Sequence, residues 1–352
     1  MVLLSLVAFV VVFGLVVLVH EVGHFLMARR AGIRVLEFGI GYPPRLKVLG
    51  VRDGVEYTLN ALPFGGFVRM LGEQDASEEG SFASKSAGAR ISTLLAGPAM
   101  NLVLAIVIFC GLLMFVGRSV PTGQVLVQSV APDSPAMQAG LRSGDVIVSI
   151  AGHEVTGAIA LAQYTQASLG QEIEVAFLRD GERQSVRLTP RVNPPQGQGA
   201  MGIVMGDIVR QVRYPIWKAI PLGFAEAWNT VRLVVLSLIS VLRGVVPVQD
   251  MAGPIGIAQA SGEVARLGLL QLLEFIAGIS VNLAVVNLLP LPILDGGHAV
   301  LILVEKLRGG KRLEPQRQVL AQMMSLVLIL GLLVLFSYFD VIRILSGQRI
   351  LR

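Results

Sequence analysis

The chain has 352 residues, of which 53% are hydrophobic and only 15% charged, with a formal net charge of +5. A mean hydropathy of +0.69 excludes an ordinary soluble globular protein. The small positive balance comes without a basic patch interleaved with aromatics; it excludes a nucleic-acid binder and suits the basic cytoplasmic loops of a membrane protein. The one cysteine, Cys110, lies in an apolar run, where a single thiol makes no intramolecular disulfide and has no metal-knuckle spacing.

From Val2 to Val19 the chain is almost unbrokenly apolar, and the run ends in His20-Glu21-Val22-Gly23-His24. Residues 1–30 are long enough for a first transmembrane helix across ~30 Å of hydrocarbon. With no basic n-region and no small-residue cleavage site before His20, the segment reads as a retained span, not a signal peptide. On a helix, His20 and His24 fall one turn apart on one face. Two imidazoles there can share a metal ion, and Glu21 is placed to take a proton from water. The plain alternative is three interfacial polar residues. Ionisable side chains are costly at the end of an apolar helix, which favours the metal site. Arg29, Arg30 and Arg34 follow and mark that end as cytoplasmic.

Residues 31–90 do not span. Glycines and prolines punctuate short β-prone pieces, and Arg52-Asp53-Gly54 predicts a hairpin turn. Such apolar non-helical backbone fits either a sheet dipping into the membrane under protein cover or an ordinary cytoplasmic hairpin. From Gly72 to Arg90 the chain is rich in Ser and Glu and predicts a solvated loop. The segment 91–118 predicts a second transmembrane helix, with Asn101 packing against the first.

Residues 121–192 change character. Strand-like runs (124–130, 145–150, 172–178, 185–189) surround one short helix, which predicts a small soluble α+β domain. Ser134-Pro135-Ala136 and Ala139-Gly140-Leu141-Arg142-Ser143-Gly144-Asp145-Val146-Ile147 look like the core of a PDZ domain, a fold that binds extended peptides at a sheet edge. There is no second copy.

The segment 214–246 has too short an apolar run to span and predicts an interfacial amphipathic helix on the outer surface. Residues 267–300 predict a third transmembrane helix running into Pro290, Pro292 and Leu294-Asp295-Gly296-Gly297-His298. The basic residues between Lys306 and Arg317 mark this end as cytoplasmic as well. Residues 321–340 predict a fourth transmembrane helix. The expected fold is thus an α-helical multi-pass membrane protein of four transmembrane helices, with a membrane-associated β-region and one inserted PDZ domain. A catalytic zinc has three protein ligands and an open position. Asp295 and His298 compete to be the third. Asn282 and Asn287, on the approach to that loop, are candidates to hold substrate backbone or a developing oxyanion.

H-E-x-x-H in a first span, an inserted PDZ domain and Asn287-x-x-Pro290-x-x-x-Leu294-Asp295-Gly296 in a third resemble the site-2 protease family of intramembrane metalloproteases, of the RseP type. The resemblance covers nearly the whole chain. It implies one zinc ion on His20, His24 and Asp295, with Glu21 as general base. It implies Asn287 as a catalytic and substrate-handling residue, with Asn282, Gly39, Gly41 and Pro290 as further substrate-binding positions. Residues 33–70 then resemble the family's re-entrant β-region, and Gly253-Pro254 its turn into the third span. The expected partners are the lipid bilayer and single-span substrates, such as anti-sigma factors or remnant signal peptides, with peptide C-termini as PDZ ligands. The expected location is the bacterial inner membrane, with the active site toward the cytoplasm and the PDZ domain outside. One departure is plain: the RseP type has tandem PDZ domains and this chain has one. The rival is a catalytically inactive metal-binding scaffold or a transporter; a transporter would show repeated spans, which this chain lacks.

Overall fold

The computed structural model describes residues 2–72, 77–247, 249, 251–310 and 315–346. The chain divides into two compact units, Met1–Leu113 with Pro215–Arg352, and Met114–Tyr214. The first helix, α1 (Val2–Arg30), is apolar all round. Neighbouring elements therefore decide which side is buried. Ala8, Val12, Val16, His20, His24 and Ala28, every fourth residue, form one buried stripe.

Strands β1 (Val35–Arg52) and β2 (Val55–Met70) pair antiparallel around Asp53-Gly54. Both turn residues have positive φ, as such a hairpin demands. Both strands bend, so Glu37–Ile40 has β2 on either side: Glu56–Leu59 on one and Gly66–Arg69 on the other. Gly66–Met70 is thus an outer segment, and Gly65 before it lies on Val17 of α1. Within the sheet the buried Glu37 carboxylate accepts from Thr58 Oγ1 at 2.8 Å and pairs with Arg45 at 2.8 Å and Arg69 at 3.1 Å.

The solvated loop expected over 72–90 is corrected in part; residues 73–76 lie outside the described residues. Phe82–Ser84 is a turn of 3-10 helix, capped by Ser81. Phe82 is buried among Ala28, Ile33, Val35, Phe38 and Val55. A polar stretch hides two apolar residues that fill the space under the sheet. The next helix, α2 (Ala87–Phe115), starts earlier than Ile91. It runs antiparallel to α1: its start packs near Ala28 and Ile33, and its Leu104 and Ile108 near Val12 and Val16.

The second unit holds β3 (Arg118–Val130), α3 (Pro135–Gln138), β4 (Val146–Ile150), β5 (His153–Glu154), α4 (Ala158–Ala167), β6 (Ile173–Arg179), β7 (Glu182–Leu188) and β8 (Ile203–Val212). The sheet order is β7-β6-β4-β3-β8, with β5 on β4. Val125, Val127, Ile147, Ile150, Val175 and Phe177 make its core with Leu161 of α4. Arg179 grips the buried Asp145 through two hydrogen bonds of 2.8 and 2.7 Å. The boundary of 121–192 is too short at both ends. β3 begins at Arg118, and β8, which the sequence disguises with Gly206 and Asp207, pairs along it.

The first unit then resumes with α5 (Ile216–Leu242), α6 (Pro254–Leu267), α7 (Leu269–Asn287), α8 (Asp295–Leu307) and α9 (Pro315–Leu345). α6 was not expected. Its Gly256, Ala260, Ser261 and Gly262 are buried, and Gly262 touches Ser5 of α1. The buried Asp340 of α9 accepts the N–H groups of Gly253 at 3.2 Å and Gly256 at 2.8 Å, so one helix caps the start of another. Arg343 reaches the carbonyls of Gln249 and Met251 beside it.

Among the described residues five helices, not four, are long and apolar enough to cross a membrane: α1, α2, α5, α7 and α9. The difference is α5. Lys218, Glu226 and Arg232 break its apolar run in sequence, but the helix continues through them for 27 residues.

Candidate active site

The site forms where α1, α2 and the start of α8 converge. Along α2, Thr93, Gly97 and Asn101 are four residues apart and share a face. His24 Nδ1 donates to the Thr93 carbonyl at 2.8 Å, which leaves Nε2 free to ligate. The Asn101 amide lies 3.3 Å from His20 Nδ1. Between them, any Cβ on Gly97 would overlap His24 Nε2 and His20 Cε1, so only glycine leaves room for the rings.

The third group arrives from elsewhere. α7 ends at Asn287, a proline-containing turn follows, and Asp295 opens α8. Gly297 lets the turn fold back onto the new helix, because a side chain there would strike the Leu291 carbonyl. His20 Nε2 is then 3.1 Å from His24 Nε2 and 3.1 Å from Asp295 Oδ2, and His24 Nε2 is 3.5 Å from the same oxygen. Tetrahedral zinc with ligands at ~2.0–2.1 Å sets them ~3.3–3.4 Å apart. Two imidazoles and one carboxylate at this spacing fit a single zinc, and among the described residues this is the one such group.

His20, Glu21, His24, Asn287 and Asp295 line one cavity of about 560 Å³. Val68, from the outer segment of β2, lines the cavity beside Glu21. Asn287 Nδ2 is 3.3 Å from His20 Nε2. His298, one turn beyond Asp295, lines the cavity too but turns to Gln322 of α9 at 3.0 Å.

The remaining expected residues fall outside the cavity lining. Asn282 is exposed on α7: five residues before Asn287 is about 140° round the helix. Gly39 is inside the sheet against the Phe67 ring, and Gly41 sits at a bend against the Leu62 carbonyl. Pro290 is exposed in the turn. Sequence reasoning missed Thr93 and Gly97, and read Asn101 as helix packing. The small and polar residues four apart on α2 were the signal.

Two imidazoles, a carboxylate and a neighbouring glutamate, in a cavity among apolar helices, define a metallohydrolase embedded in a membrane. The profile of Peptidase family M50 matches residues 8–332, and the chain belongs to that family. A Clostridium acetobutylicum protein is 33% identical over 340 residues, 96% of this chain and 97% of that one. The zinc metalloprotease RasP of Geobacillus kaustophilus is 27% identical over 96% of this chain and 97% of its own. The regulator of sigma-E protease RseP of Escherichia coli is 28% identical over 96% of this chain and 98% of its own. The chain is a zinc metalloprotease of the site-2 class, a bacterial inner-membrane protein that acts in regulated intramembrane proteolysis.

Proposed function

We propose that the chain cuts a peptide bond inside the transmembrane helix of single-span membrane proteins, anti-sigma factors or remnant signal peptides, using His20, His24 and Asp295 as zinc ligands and Glu21 as general base. The observation that carries this reading is the triangle of Nε2, Nε2 and Oδ2 atoms at 3.1–3.5 Å on the cavity wall that Glu21 shares. When bound, zinc supplies a Lewis acid that makes a water acidic near pH 7 and polarises a carbonyl. Glu21 accepts a proton from the attacking water at its carboxylate and delivers it to the leaving amine. Asn287 Nδ2 is the amide donor for the developing oxyanion.

A substrate helix hides its carbonyls in i to i−4 bonds and must unwind before attack. The outer segment Gly66–Met70 offers backbone groups to the unwound stretch, by strand addition. Asn282, Gly39, Gly41 and Pro290 have no part in this account.

Four spans remain our reading. α7 runs parallel to α1: Leu272 and Ile276 pack near Val12 and Val16, and Asn287 reaches His20. α6 meets α1 at Ser5, level with the start of α1. From the end of α2 to α6 the chain therefore makes no net crossing, so we read α5 as an interfacial helix that leans on α2 and α7 through Val231, Val234 and Leu238 without traversing the bilayer. Arg29, Arg30 and Arg34 set the active site toward the cytoplasm. The unit Met114–Tyr214 is then outside. Its Ser134-capped α3, its Gly144-Asp145 entry to β4 and its open edge β8 support a single PDZ domain that takes peptide C-termini.

The test is Glu21→Gln in zinc-loaded protein, assayed on a single-span substrate in vesicles. Cleavage is expected to fall on the order of 10²–10⁴-fold with zinc retained. Undiminished cleavage overturns the assignment.

A further inference from the structure

We propose that Asn101 is a positioning residue for the metal: its side-chain carbonyl accepts the Nδ1–H of His20 and so fixes the ring form that offers Nε2 as a ligand. The inference rests on the reading of His20 as a ligand.

His20 Nε2 is the committed atom, since it faces His24 Nε2, Asp295 Oδ2 and the Asn287 amide. A neutral imidazole that ligates through Nε2 carries its proton on Nδ1. The Asn101 side chain faces that Nδ1. Asn101 is fully buried, and its Oδ1 has no hydrogen-bond partner while its Nδ2 is turned to the ring. An amide can face the ring either way. Nδ2 toward the ring suits an imidazole protonated on Nε2, which cannot ligate through that atom. Oδ1 toward the ring suits one protonated on Nδ1, which can. Ligation therefore selects the orientation in which the unpartnered oxygen receives the ring proton.

The neighbouring histidine shows the same device. His24 Nδ1 meets the Thr93 carbonyl, which can only accept. Thr93 and Asn101 are eight residues apart on one face of α2, with Gly97 between them to admit both rings. One helix thus presents an acceptor to the rear nitrogen of each ring. The Asn101 backbone is itself held, because Ser280 Oγ of α7 donates to its carbonyl at 2.8 Å.

The experiment compares Asn101→Leu, Asn101→Ala and Asn101→Asp in the full chain. Zinc affinity is read by competition with a chelator, and ring geometry by the visible spectrum of the cobalt-substituted protein. Melting in excess chelator reports the fold without metal. Leu and Ala, which have no acceptor, are expected to weaken zinc by about 10–100-fold and alter the cobalt spectrum, at unchanged metal-free melting. Asp keeps an acceptor and is expected to hold affinity close to that of the parent. The proposal is overturned if either acceptor-less variant folds and keeps parental affinity, or if Asp loses as much as Leu. His20→Ala runs in parallel: full zinc affinity there would sink the ligand reading itself, apart from any role of Asn101.

Discussion

Gly97 shows how little room the site allows. Glycine in a helix interior costs about 0.5–1 kcal/mol relative to alanine, so Gly97→Ala should favour α2 as a helix. Its methyl group would nonetheless occupy the place of His24 Nε2. We expect Gly97→Ala protein to be purified without zinc, as metal analysis per chain would show; a full complement of zinc would refute this account. Asn287→Ala is expected to keep its zinc and lose on the order of 10²–10³-fold in kcat. A loss confined to KM would move Asn287 from the chemistry to binding. His20, Glu21 and His24 were legible in the sequence because helical spacing is local. Asp295 was not separable from His298 by spacing alone, and the resemblance decided between them. In the fold, the start of α8 turns Asp295 to the imidazoles and sends His298 one turn on, to Gln322. Asn101 was read as packing because the four-residue spacing of Thr93, Gly97 and Asn101 marks a shared face of α2 but does not say that the face meets two imidazoles.

Among the elements, α8 is held at both ends. Asp295 opens it at the site, and near its close Glu305 pairs with Arg90 of α2 at 2.9 Å, both side chains largely buried. Removing one member of a buried pair costs about 3–5 kcal/mol because it leaves the other charge uncompensated. Glu305→Ala should therefore lower the Tm markedly, and Arg90→Met with Glu305→Met should recover most of the loss. Equal melting of the single variant and the parent would count against this. In the sheet, burial would raise the pKa of Glu37, but the Thr58 hydroxyl and the Arg45 and Arg69 guanidiniums outweigh it and hold the carboxyl below its ordinary 4.5. A depressed folded pKa contributes stability above 4.5 that fades as pH falls through the lowered value. Glu37→Gln should thus melt below the parent at neutral pH and match it in strong acid. A constant gap across pH would contradict the linkage. The β-hairpin was readable from its Asp-Gly turn. α6 was not, because Gly256, Ala260, Ser261 and Gly262 look like a linker until another helix is close enough to need small residues.

At the scale of the molecule, composition alone gave the membrane class, while the number of crossings stayed open. A helix such as α5, apolar yet interrupted by charges, suits a membrane surface as well as its interior, and the four-span reading is a proposal drawn from where α6 and α7 meet α1. The proposed orientation is testable in a Cys110→Ala background. In intact cells, a membrane-impermeant maleimide should label Glu182→Cys, on a hairpin of the second unit, and leave Arg52→Cys, on the β1–β2 hairpin, unlabelled. The reverse pattern would invert the topology.

Asp340 ties the last helix to α6, and α6 rests on α1 at Ser5. The first and last described helices are therefore braced against each other through one short strut. A stop codon ahead of Asp340 would strand two amide protons in a dry place, and the damage would travel through α6 to the very rod that carries the histidines.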